Sequence, residues 1–84
     1  MDQDKEIEKL RRGIDDLDRE LIDVLARRMK FVASIRKLRK EPVDDDRHGE
    51  VLQTRPSWGS SRDLSANFIR DLFERILKFT EKNE

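Results

Sequence analysis

From Ile7 onward the apolar side chains fall at Ile7, Leu10, Ile14, Leu17, Leu21, Val24, Phe31, Ile35 and Leu38. The steps alternate between three and four residues, as on the seam of a heptad-patterned helix. One member of the series, position 28, is an arginine. No proline lies between Asp4 and Lys40, and only Gly13 weakens the run, so the pattern predicts one helix of about 36 residues, roughly 54 Å long at 1.5 Å per residue. A helix of that length can cover its apolar stripe only against another of similar length. The simplest supplier is a second copy of the chain.

The segment "KEPVDDDRHGE" interrupts the pattern. Pro42 disfavours helix at Glu41, and the aspartates can cap the next helix. That short second helix, about Asp46 to Thr54, carries Val51 and Leu52. The segment "RPSWGSSRD", with Pro56, Gly59 and three serines, reads as a turn-rich loop anchored by Trp58. Ser65 is a good N-cap for a third helix, with Leu64 and Ile69 spaced as a hydrophobic staple. Phe68, Ile69, Leu72, Phe73, Ile76, Leu77 and Phe79 then make a broad apolar face. The expected fold is all-α, with one long, one short and one medium helix in a single domain, 1–84, intertwined with its copy as a homodimer.

Composition narrows the chemistry. A chain of 84 residues buries too little surface to be comfortably stable alone, which again points to a partner chain. Cysteine is absent and there is one histidine, so neither a disulfide framework nor a structural zinc site is expected. Nineteen basic and nineteen acidic residues cancel, which argues against nucleic-acid binding through a strong basic field. The start, "MDQDKEIEKL", lacks a basic stretch followed by an apolar run, and no apolar window approaches membrane-spanning length. A soluble cytoplasmic protein with no membrane association is expected.

Positive charge therefore matters locally. An arginine on a helix seam must meet an anion, reach water along its stem, or lie at an interruption in the core. Arg39 lies eleven residues beyond Arg28, almost three turns, so both leave nearly the same face with backbones roughly 16 Å apart. Two such side chains can converge on one small dianion. Arg11 is four heptads before Arg39, too distant along one rod, but an antiparallel partner helix can bring its Arg11 opposite Arg28. Taken singly, Arg11 and Arg39 read as residues of a solvated helix face, and Arg28 as a side chain snorkelling to water.

With these residues in view, "LRRGIDDLDRELIDVLARRMKFVASIRKLRK", "DDDRHGEVL" and "FIRDLFERIL" resemble the pattern of the all-helical chorismate mutases, small intertwined homodimers with three helices per chain. The resemblance implies a chorismate mutase of aromatic amino acid or related secondary metabolism, with two shared active sites and no metal or cofactor. It implies that Arg28 and Arg11 of the partner subunit clamp the substrate carboxylates. Arg39 stands where the family usually has a lysine directed at the ether oxygen. Arg47 matches an arginine beside a carboxylate, and Asp44 a position whose backbone helps hold the ring hydroxyl. Thr80 and Glu84 match a small hydroxyl and a glutamine or glutamate of the last helix. Arg28, Arg39 and Glu84 are thus the implied catalytic residues. His48 replaces the glutamate that usually meets the ring hydroxyl, putting a group that can donate or accept where the family has an acceptor.

Such a site suits a pericyclic rearrangement, which needs a compact conformer held by paired carboxylates and cationic donors at the ether oxygen rather than a nucleophile. "RRMKFV" and "TRPSWGSSRDL" are also similar to the isochorismate pyruvate lyases, which share the fold and lack the same glutamate. A 4-amino-4-deoxychorismate mutase is a further alternative. From another class, the chain reads as a non-catalytic helical dimerisation module or the regulatory domain of a larger enzyme.

Overall fold

The computed structural model describes residues 2–39 and 45–82, in three helices: α1 (Asp2–Arg39), α2 (Asp45–Ser60) and α3 (Ala66–Lys82). There is no strand among the described residues, so the all-α expectation holds. Acidic Asp2 and Asp4 open α1, and Arg36, Lys37 and Arg39 close it, each sign complementing the helix dipole. The chain divides into two units, residues 1–34 and 35–84.

The first unit is the body of α1. It is laced by short-range ion pairs between successive turns, Arg11 with Glu8 and Arg19 with Asp16 at 3.1 Å each, and Arg27 with Asp23 at 3.1 Å. Such exposed pairs hold a helix by only a few tenths of a kcal/mol each, about 0.3–0.5. Nothing in α1 is buried. Its seam side chains are exposed from 45% at Ile7 to 84% at Leu38, so the apolar stripe predicted from spacing is present.

In the second unit α2 packs on α3, around Val51, Ile69 and Leu77. Ser65 caps α3 as expected, its hydroxyl accepting from the Phe68 N–H at 3.3 Å while its carbonyl accepts from the Ile69 N–H at 3.0 Å. The helix α2 runs to Ser60, six residues beyond the predicted end at Thr54, and the segment expected as a loop is mostly helical. Three physical reasons account for the difference. The hydroxyls that favour turns instead donate back to helix carbonyls one turn earlier: Thr54 to Glu50 at 2.9 Å, Ser57 to Thr54 at 2.8 Å and Ser60 to Pro56 at 3.1 Å. Pro56 lacks the N–H that would bond the Leu52 carbonyl, and Arg70 of α3 donates to that carbonyl at 3.4 Å. Gly59 lets α3 approach closely and is buried against Ile69.

The turn after Ser60 is compact. The Leu64 N–H bonds the Gly59 carbonyl at 3.0 Å and the Asp63 N–H bonds the Ser60 carbonyl at 3.3 Å, with Asp63 at φ 62°. This is a Schellman closure with aspartate in the left-handed position usually given to glycine. Trp58, expected as a loop anchor, is therefore a helix residue, stacked under the Arg55 guanidinium at 4.2 Å from its ring centroid.

A Cβ added at Gly59 falls inside contact distance of Ile69 Cγ1 and lies 3.3 Å from its Cδ1. Ile69 is β-branched and buried, so it yields poorly. Gly59→Ala is expected to lose about 1–2 kcal/mol, the overpacking cost exceeding the roughly 1 kcal/mol that alanine gains in helix propensity. Urea unfolding at matched protein concentration reads the change; an unchanged or higher midpoint refutes the close packing of α2 on α3.

Candidate active site

The basic residues singled out by sequence separate into two groups by unit. In the first, Arg28 is half-buried on α1 while most of its neighbours are exposed. A guanidinium partly withdrawn from water has lost solvation that only an anion or hydrogen-bond acceptors restore. Arg11, by contrast, is 68% exposed and paired with Glu8. Such an exposed pair holds the charge loosely.

The second unit carries the rest. Arg39 is exposed on the last turn of α1. Arg47, in the first turn of α2, is ion-paired with Glu50. His48 is next, half-buried, with Nδ1 3.2 Å from the Glu81 carboxylate of α3. Thr80 is 4% exposed, and its hydroxyl donates to the Ile76 carbonyl at 2.8 Å. With its proton engaged in the helix, that hydroxyl must rotate to donate elsewhere. Asp44 and Glu84 lie outside the described residues. The structure thus places Arg47 and His48 side by side at the start of α2 and ties His48 to the residue following Thr80.

Three residues unmarked by spacing enter this region. Arg36 donates to the Thr80 carbonyl at 2.5 Å, fastening the end of α3 to the end of α1. Glu81 partners His48 across the α2 and α3 ends. Arg55 sits over Trp58 and within 6.0 Å of the Phe73 ring centroid. Its pKa is lowered, first because burial strips water from the charge and then because Arg47 is nearby, with Glu50 acting in the opposite sense. No local pattern identifies the Arg36–Thr80, His48–Glu81 and Arg55–Phe73 partners, because those contacts join helices distant in sequence.

Among the described residues there is no group of three or more His, Asp or Glu side chains able to hold a metal ion. No helix among them is long and apolar enough to cross a membrane.

The family described as chorismate mutase type II matches residues 10–84. A T-protein of Haemophilus influenzae is 32% identical over 82 residues, an alignment covering 93% of this chain and 22% of the relative. The chain spans about a fifth of that relative's length (22%). No solved structure gives a significant match. With the family pattern running from Leu10 through all three helices, the chain belongs to the chorismate mutase type II family of isomerases.

Proposed function

We propose that residues 1–84 act as a single domain that rearranges chorismate to prephenate, as a homodimer with two shared sites. The observation that carries this is Arg28: a half-buried cation standing in an apolar seam, at the position where the family pattern has a carboxylate clamp. In the rearrangement the ether C–O bond breaks as a C–C bond forms, with no atom gained or lost. The protein's task is to hold the reactive conformer and to stabilise negative charge on the ether oxygen.

Residue by residue, Arg28 and Arg11 of the partner subunit pair with the two substrate carboxylates, bidentate geometry giving orientation as well as charge. Arg47 supports a carboxylate from α2. Arg39 donates to the ether oxygen; unlike lysine it offers a planar fork of N–H groups, so it can contact ether oxygen and carboxylate together. Thr80, Asp44, His48 and Glu84 complete the surround by their match to the family. Glu84 can donate to the ether oxygen only while protonated, in contrast to a glutamine.

The dimer follows from α1. Nine seam side chains between Ile7 and Leu38, each at least 45% exposed, present a stripe that a second α1 covers in register. Sedimentation at micromolar concentration is expected to give a dimer, and a folded, active monomer refutes the shared site. A non-catalytic dimer built on the same scaffold is separated by turnover alone.

Product analysis after separate incubation with chorismate, isochorismate and 4-amino-4-deoxychorismate tests the substrate. Prephenate from chorismate is expected. Release of pyruvate and salicylate from isochorismate as the faster reaction reassigns the chain to the lyases, and preferential turnover of the amino compound to that mutase. Arg28→Ala is expected to lower kcat/KM by about 10²–10³ while helix content by circular dichroism and the dimer remain, since a charge used in the transition state contributes to rate rather than to the core. Activity within threefold of the parent, roughly 0.7 kcal/mol, makes Arg28 a snorkelling side chain instead.

A further inference from the structure

A helix leaves the carbonyls of its last turn without a donor from its own backbone. In α3 (Ala66–Lys82) that turn carries Thr80, which is 4% exposed, so its carbonyl lies where water is scarce and a missing partner is costly. The partner comes from another helix. Arg36, half-buried near the end of α1, donates to the Thr80 carbonyl at 2.5 Å across 44 positions of sequence. A guanidinium suits this place twice over, as a donor aimed at an open carbonyl and as a cation at the negative end of the helix dipole. Thr80 is fixed at its other end too, the hydroxyl donating to the Ile76 carbonyl at 2.8 Å. Helix ends otherwise fray, and a side chain on a fraying turn has no defined position.

We propose that Arg36 is a positioning residue, which caps α3 from α1 and thereby holds the Thr80 hydroxyl in place for the substrate; this rests on the mutase function proposed above, in which Thr80 lines the site by its match to the family. In this role Arg36 acts through the backbone of Thr80 rather than on the substrate. Removing the hydroxyl leaves the Arg36 contact intact, since Thr80→Ala keeps the carbonyl. The two side chains therefore lie on one line of effect, from cation to carbonyl to hydroxyl, and losses along one line do not add. A tie that serves only the folding of α3 lowers stability, and its effect on turnover is the same whether or not the hydroxyl is present.

The test uses the full chain, at a temperature where circular dichroism shows each variant folded. Arg36→Met keeps the apolar stem and removes the donors, so packing is largely preserved while the cap is lost. Amide hydrogen exchange reads the cap without substrate: the N–H groups of Thr80, Glu81 and Lys82 are expected to exchange about tenfold faster in Arg36→Met than in the parent. Unchanged protection overturns the cap. The kcat/KM for chorismate is expected to fall about tenfold in Arg36→Met and in Thr80→Ala alike, and by less than about threefold when Arg36→Met is added to Thr80→Ala. Arg36→Lys, which keeps a cation able to bond the last carbonyls, is expected to bring activity to within about threefold of the parent. Fully additive losses overturn the proposal, and so does a Thr80→Ala variant with parental activity, which leaves no hydroxyl to position. If the parent turns over none of the three chorismate-type substrates, the mutase function itself fails and this role with it, whereas turnover with additive losses removes Arg36 alone.

Discussion

The long helix α1 exposes the side chains that its own heptad pattern makes apolar, and the rest of the protein is organised around that constraint. A rod of 38 residues with nothing buried is not stable on ion pairs between adjacent turns, whose contributions are each a few tenths of a kcal/mol, about 0.3–0.5. Helical stability in proteins comes mainly from packing an apolar face. The buried apolar side chains among the described residues, Val51, Ile69 and Leu77, belong to the α2 and α3 pair.

The same constraint gives Arg28 its meaning. An apolar seam tolerates a cation only where an anion or water is available to it. The exposed arginines are engaged locally meanwhile, Arg11 with Glu8 and Arg47 with Glu50. These are pairs of short reach on open helix faces, each contributing little to stability. Arg36 differs in kind. It is half-buried and directs its charge at the Thr80 carbonyl, a structural tie that steadies the ends of α1 and α3 where His48, Thr80 and Glu81 gather.

The segment from Arg55 to Ser60 shows how tertiary contacts overrule local preference. Proline, glycine and serines ordinarily signal a loop, yet every feature that argues against helix has a partner here that removes its cost. Arg70 takes the carbonyl that Pro56 leaves open, the hydroxyls return their protons to the helix, and Gly59 turns its lack of a side chain into close packing with Ile69. The chain reversal is moved to Asp63, where Leu64 begins the approach to α3.

Periodicity alone determined the long helix, its exposed seam and the misfit at Arg28, because a heptad pattern is a local property carried by every turn. The Ser65 cap was equally legible, since an N-cap and the N–H it serves lie within one turn. Arg11, Arg28, Arg39, Arg47, His48 and Thr80 could be named from their match to a family pattern, but not what each one touches. The tertiary structure decided the extent of α2, the stacking of Arg55 on Trp58, the fastening of Thr80 by Arg36 and the pairing of His48 with Glu81. Apart from the Arg55–Trp58 stack, which lies within one turn of α2, these depend on contacts between helices far apart in the chain, and residues such as His48 and Glu81, 33 positions apart, carry no shared period or motif by which sequence could pair them.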